Sequence, residues 1–251
     1  LLHGVTGSGK TEIYIHLIEE ICSKGMQVLY LVPEISLTPQ IIQRLQRVFG
    51  NSVGIYHSKM GDPVRVEVWN RVMSFGSEHP DAFRLILGTR SALFLPFSKL
   101  GLIIVDEEHE NSYKQSDPSP RYHARDMAVV MGAQHHCPVL LGTATPSFES
   151  YQNVQKGNYE LVNLPERYGD ASMPEIVVAD IRNAWKRKRM ISMLTPELYE
   201  GILKALQAGE QVILFQNRRG YSSYIECMNC GWISGCGMCD VSLTCHRQES
   251  R

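Results

Sequence analysis

Hydrophobic residues in this chain fall into two alternating textures. Short runs of consecutive apolar residues, many of them β-branched, occupy residues 28–32, 53–56, 84–87, 102–105 and 139–141. Unbroken runs of this kind predict strands covered on both faces of a mostly parallel sheet. Between them, apolar positions recur every three or four residues. Residues 11–24 place Ile13, Leu17, Ile18 and Ile21 on one face and stop at Gly25, as a helix closed by glycine would. Thr38-Pro39 reads as an N-cap followed by proline at the first helical position, with Ile41, Ile42, Leu45 and Val48 as the stripe. Asp62-Pro63 repeats the device before Val66, Trp69, Val72 and Met73. Strands alternating with helices predict an α/β, doubly wound domain over residues 1–165.

The texture changes after that. Residues 166–195 hold several breakers, a short strand expected at residues 176–179, and the basic run Lys186-Arg187-Lys188-Arg189. This stretch reads as a linker, its basic run either a solvated surface or a phosphate contact. Thr195-Pro196 then starts a helix closed by Gly209, and residues 212–215 read as another buried strand. A second α/β unit is therefore expected over 196–226, and a cysteine-rich insertion over 227–251.

Composition narrows the class. With 251 residues, 43% hydrophobic and 20% charged, the chain is neither disordered nor fibrous. No stretch approaches the roughly 18–20 apolar residues of a membrane span, so no membrane partner is expected. Net charge is −1, so any affinity for nucleic acid must come from a local basic surface. Five of the seven cysteines lie between Cys227 and Cys245, which reads as metal binding in a cytosolic protein and not as a secreted disulfide framework.

The chemistry starts at Gly4-Val5-Thr6-Gly7-Ser8-Gly9-Lys10-Thr11, a complete G-x-x-x-x-G-K-[ST] loop directly before the first helix. Backbone N–H groups of Gly4, Thr6, Gly7, Ser8 and Gly9 are expected to cradle phosphates. Lys10 would reach the β- and γ-phosphates of ATP, and the Thr11 hydroxyl would ligate Mg²⁺. Residues 103–109 end an apolar run in Asp106-Glu107-Glu108-His109. A strand ending in carboxylates puts Asp106 at the carboxyl edge of the sheet, where it can hold hydrated Mg²⁺, with Glu107 beside it to activate water. Taken alone, such a pair is also compatible with a solvated turn.

Thr145, in Gly142-Thr143-Ala144-Thr145-Pro146, and Arg90, in Gly88-Thr89-Arg90-Ser91, follow other strands. Thr145 reads as a helix start or as a relay from the γ-phosphate, and Arg90 as a contact to a backbone phosphate. Residues 112–126 interleave Tyr113 and Tyr122 with Lys114, Arg121 and Arg125. Aromatic faces can stack on bases while cations meet phosphates; a proline-rich surface loop with its tyrosines packed down is the alternative.

These stretches together resemble the superfamily 2 DNA helicases, and closely their bacterial replication-restart branch. The matching segments are GVTGSGKTEIY, VPEISLTPQ, YHS, GTRSALFLPF, VDEEHENSYKQ, RYHARDMAV, GTATPS, LFQNRRGY and the paired cysteines, in family order over nearly the whole chain. The resemblance implies a RecA-like helicase lobe followed by a truncated second lobe that a zinc insertion interrupts. It implies that Lys10, Thr11, Asp106 and Glu107 bind and hydrolyse Mg-ATP. His109 and the loop around Tyr113, Lys114, Arg121, Tyr122 and Arg125 would couple DNA binding to hydrolysis, with Pro33, Glu34, Arg90 and Thr145 along the DNA path or its relay. Such helicases are cytoplasmic and nucleoid-associated; they unwind forked DNA from 3′ to 5′ and work with primosome and single-strand-binding proteins. Two other readings stay open: a double-strand translocase that does not unwind, and an assembly scaffold with a vestigial nucleotide site.

Cys227-x-x-Cys230 and Cys236-x-x-Cys239 are two thiolate pairs able to ligate Zn²⁺. Spacing alone suggests one four-cysteine site, although the pairs stand closer than is usual. The resemblance instead implies that they serve different zincs, each half-site completed by cysteines beyond Arg251, with Cys245 unassigned. A chain that opens straight into the phosphate loop is expected to be part of a longer motor, binding nucleotide weakly and hydrolysing it poorly by itself.

Overall fold

The computed structural model describes residues 1–76, 81–169 and 174–215, with Cys227, Cys230 and residues 232–235, apart from the side chain of Ile35. It divides into two compact units, Leu1–Pro174 and Glu175–Arg251.

The first unit is built on a seven-stranded sheet. Its strands are β1 (Leu2–Gly4), β2 (Gln27–Leu31), β3 (Val53–Tyr56), β4 (Leu85–Gly88), β5 (Leu100–Asp106), β8 (Val139–Thr143) and β9 (Val162–Leu164), in spatial order β3-β4-β2-β5-β8-β1-β9. Every pairing in this sheet is parallel. Two further strands, β6 (Lys114–Gln115) and β7 (Tyr122–His123), form a separate antiparallel hairpin.

Period-two side-chain alternation explains why the strand runs are continuously apolar: each face of the sheet has its own core. On one side Val28 and Tyr30 of β2, Leu85 and Leu87 of β4, and Leu102 and Ile104 of β5 meet helices α1 (Lys10–Ser23) and α2 (Pro39–Phe49). On the other, Leu29 and Leu31, Ile86, and Ile103 and Val105 meet α3 (Asp62–Met73) and α4 (Ala124–His135). Helix α5 (Phe148–Gln155) follows β8.

Local expectations fail where tertiary packing overrides them. Helix α3 turns Val68 and Val72 inward and leaves Val66, Trp69 and Met73 exposed, so the face read from the sequence is rotated: valine recurs at every second position there, and spacing cannot choose among them. Thr38 has N-cap backbone geometry but caps no amide, and the N-cap of α3 is Gly61. Strand β9 and the β6–β7 hairpin carry no apolar run long enough to announce them; β9 exists because β1 offers it an edge, with Leu2, His3 and Gly4 opposite Val162, Asn163 and Leu164.

The second unit contains α6 (Ile181–Lys186) and α7 (Pro196–Gln207). Here capping works as read: the Thr195 hydroxyl accepts the Leu198 amide at 3.4 Å. The strands expected at 176–179 and 212–215 do not form. Among the described residues neither stretch has a ladder partner, and Ile176, Val178, Ile213 and Phe215 are exposed. A run of β-branched residues becomes a strand only where a neighbouring strand takes up its N–H and C=O groups. The stretch read as a linker contains α6, and Arg187, Lys188 and Arg189 lie exposed at its end.

Candidate functional site

The carboxyl edge of the parallel sheet gathers the chemically distinctive residues. β1 runs directly into the glycine loop, and α1 begins at Lys10. The loop turns back on itself through Gly7 and Gly9, whose φ values of 82° and 87° lie in the left-handed region that other residues enter only with strain. A Cβ at Gly4 would stand 2.6 Å from Ser8 Oγ, so a side chain there would push that hydroxyl aside. Lys10 Nζ donates to the Gly4 carbonyl at 2.7 Å.

β5 ends beside this loop. Asp106 Oδ1 accepts from the Tyr14 hydroxyl at 3.0 Å and the Glu107 amide at 3.1 Å, and Oδ2 accepts from the Tyr30 hydroxyl at 3.3 Å. Burial pushes the Asp106 carboxyl above the ordinary range, opposed by the Tyr14 bond, the Glu107 amide and the Lys10 charge. Glu107 adopts φ 47°, a strained backbone that re-aims its side chain. Burial, and then the neighbouring Asp106, raise its pKa, against Lys10 and His109. Residues 6–12 with Arg44, Asp106, Glu107 and Tyr168 line one cleft of about 710 Å³. Its floor includes Ser8 Oγ, buried without a hydrogen-bond partner. Curled glycines, a lysine, an orphaned hydroxyl and two carboxylates fit a magnesium-bound triphosphate.

A polar chain leads away from the cleft. His109 Nδ1 lies 2.8 Å from Thr143 Oγ1 and 3.7 Å from Glu107 Oε2, and its Nε2 is 3.4 Å from Thr145 Oγ1. The Thr145 amide donates to Thr143 Oγ1 at 3.0 Å. Thus the acidic strand end and the threonine turn after β8, remote in sequence, share one imidazole.

The aromatic and basic segment is brought only partly to the surface. Tyr113 is buried, its hydroxyl donating to the Asp106 carbonyl at 2.6 Å, so its ring belongs to the core and is not offered for stacking. Arg125 is also buried. It donates to Glu108 at 3.1 Å and to Asp126 at 2.8 Å, the pairing of an internal strut and not of a phosphate contact. Lys114 and Arg121 stand exposed, and Tyr122 is half-buried edge-on against Phe94. These three, with Gln115, Ser116 and His123, line a groove of about 450 Å³ on the hairpin. Arg90 donates to the carbonyls of Ser112 and Lys114 at 3.1 and 3.0 Å, tying β4's end to the hairpin's root.

Sequence reading missed Tyr14, Tyr30, Arg44 and Tyr168. Tyr14 stands four residues after Lys10, so helical periodicity places it near the loop; nothing local marks the other three. Tyr168 is placed by its own amide, which donates to the Gly7 carbonyl at 2.9 Å.

Gly142 on β8 is fixed by this packing, since a Cβ there would fall 1.8 Å from the Tyr14 hydroxyl. Gly142→Ala is expected to destabilise the unit by about 1–3 kcal/mol, the usual cost of overpacking, measured by urea denaturation.

Of the four cysteines read as zinc ligands, Cys227 and Cys230 are exposed, and Cys236 and Cys239 lie outside the described residues, as does Cys245. Among the described residues no three His, Cys, Asp or Glu side chains gather as a metal site, and no helix is long and apolar enough to cross a membrane.

Comparison with known proteins agrees with this geometry. The chain is 46% identical over 251 residues to replication restart protein PriA of Bacillus subtilis, covering all of this chain and 30% of that protein. It is 46% identical over 250 residues to its counterpart in Haemophilus influenzae, of which it covers 33%. The chain therefore spans about a third of the length of these relatives. Among solved structures, RecG bound to a three-way DNA junction superposes with a TM-score of 0.53 at 18% identity, covering 83% of this chain and 25% of that one; at that identity the likeness is one of fold. The model of the DEAD/DEAH box helicase family matches residues 1–154, well over half of the chain and all of the cleft but Tyr168, and to that family the chain belongs.

Proposed function

We propose that this chain is the nucleotide-hydrolysing part of an ATP-dependent DNA helicase that unwinds forked DNA with 3′ to 5′ polarity and restarts replication. The observation that carries the reading is the convergence of the glycine loop, Lys10, Asp106 and Glu107 on one cleft. The amides of residues 6–11 and Lys10 hold the phosphates, while Thr11 and Asp106 hold Mg²⁺, which when bound draws charge from the triphosphate. Glu107 orients and deprotonates the attacking water. His109 passes the state of Glu107 to Thr143 and Thr145, and the groove of Lys114, Arg121 and Tyr122 meets DNA phosphates and bases, with Arg90 holding that hairpin to the sheet edge. Residues 196–226 open a second lobe, and Cys227, Cys230, Cys236 and Cys239 bind Zn²⁺ in the full-length protein. Primosome and single-strand-binding proteins are its partners, in the bacterial cytoplasm at the nucleoid.

The 46% identity to proteins named for replication restart supports the biological setting. The test is strand displacement on a fork by the full-length protein with and without Lys10→Ala. ATP-dependent displacement abolished by the substitution is expected; ATP consumption without displacement would overturn the helicase reading.

A further inference from the structure

Both oxygens of the Asp106 carboxylate are held by tyrosine hydroxyls that come from elements other than its own. Tyr14 reaches Oδ1 from α1, one turn beyond Lys10, and Tyr30 reaches Oδ2 from β2, the strand beside β5. With the Glu107 amide, three donors occupy a carboxylate that has about four lone-pair sites. The rings themselves have no freedom. Tyr14 and Tyr30 are 0% and 1% exposed, they meet edge-to-face with centroids 5.5 Å apart, and Gly142 leaves room for the Tyr14 hydroxyl and nothing larger. Tyr113 fixes the same residue from behind through its backbone carbonyl. A carboxylate that only had to exist as a charge would be satisfied by water at this edge; two converging phenols and one amide determine its angle.

Resting on the nucleotide site proposed above, we propose that Tyr14 and Tyr30 are positioning residues that hold the Asp106 carboxylate in the one orientation able to accept the metal of a magnesium-bound nucleotide. The physical consequence is specific. With the carboxylate held, the entropy of ordering it is lost once, on folding, and not again each time metal-nucleotide binds. Removing a hydroxyl should therefore weaken binding of the metal complex while leaving phosphate binding by the glycine loop alone. Metal-free nucleotide touches the same loop and Lys10 but has no use for Asp106.

The experiment compares equilibrium binding of a fluorescent ATP analogue to the full-length protein in Mg²⁺ and in EDTA. Tyr14→Phe and Tyr30→Phe keep the packed ring and delete only the hydroxyl. The Mg²⁺ enhancement of affinity is expected to fall roughly tenfold in Tyr14→Phe, as for a lost hydrogen bond to a charged group, and less in Tyr30→Phe, whose bond is longer. Affinity in EDTA is expected to stay at the wild-type value. In an Asp106→Asn background, Tyr14→Phe should cause no further loss. An unchanged enhancement in both single variants overturns the proposal, and so does an equal loss with Asp106 already replaced, because the tyrosines would then act otherwise than through that carboxylate. A wild-type protein that binds the analogue in neither condition would instead remove the nucleotide reading, and this proposal with it.

Discussion

Glu107→Gln in the full-length protein is expected to lower DNA-stimulated ATP hydrolysis by about three orders of magnitude, within the span attributed to a general base, while nucleotide affinity stays close to wild type. The substitution preserves side-chain volume while replacing the carboxylate by a neutral amide that cannot take a proton. Affinity is set elsewhere in the cleft, by the glycine loop, Lys10 and the metal held at Asp106, so binding and turnover should separate cleanly. Steady-state hydrolysis together with fluorescent-nucleotide binding measures both. Residual turnover within about tenfold of wild type would assign the water-activating role elsewhere. His109 is the only imidazole that the described residues bring within 4 Å of the Glu107 carboxylate, and it would be the first candidate.

The second large effect is structural. Glu108, the residue after the proposed base, is completely buried. Its Oε2 accepts from Arg125 at 3.1 Å, from Ser147 Oγ at 2.9 Å and from Ser150 Oγ at 2.8 Å, and its Oε1 accepts the Ser147 amide at 2.7 Å. One carboxylate thus joins β5 to α4 and to the start of α5. Glu108→Ala would leave the Arg125 guanidinium buried beside a cavity and two serines without their acceptor. The expected cost is about 3–5 kcal/mol, the range for breaking a buried ion pair by removing one partner. For a unit of this size that corresponds to a fall in melting temperature of roughly 10 °C, read by thermal unfolding with circular dichroism. A melting temperature within about 2 °C of wild type would show the network to be dispensable. Because Glu107 and Glu108 are adjacent and point to opposite duties, the pair separates chemistry from framework: Glu107→Gln should melt like wild type, and Glu108→Ala should not. The positive φ at Glu107 is what turns neighbouring carboxylates in these two directions.

The same division runs through the hairpin. Lys114 and Arg121 belong to its exposed groove, while Tyr113 and Arg125 at its two ends are drawn into the interior. In sequence all four look alike, as aromatics and cations interleaved with prolines. Their sorting depends on what lies beneath. Tyr113 finds the Asp106 carbonyl, and Arg125 finds the fully buried carboxylate of Glu108.

What the amino-acid order determines by itself is the doubly covered core of the sheet, five of its seven strands, and the place of its phosphate loop. Five continuous apolar runs can be satisfied only by strands covered on both faces, because a strand open to water on one side would alternate. A glycine loop ending in Lys10-Thr11 before an amphipathic stretch has one physical use, since few other arrangements offer so many amides to one anion. Asp106 and Glu107 are legible for the same reason: carboxylates at the end of a buried strand must lie at the sheet's edge. Tertiary structure alone decides which of several valines in α3 face inward, that residues 213–215 stay exposed while residues 28–32 are buried, and that Tyr14 and Tyr30 converge on one carboxylate. Those outcomes depend on partners distant in the chain, and neither propensity nor periodicity carries information about a neighbour 76 residues away, the separation of Tyr30 from Asp106.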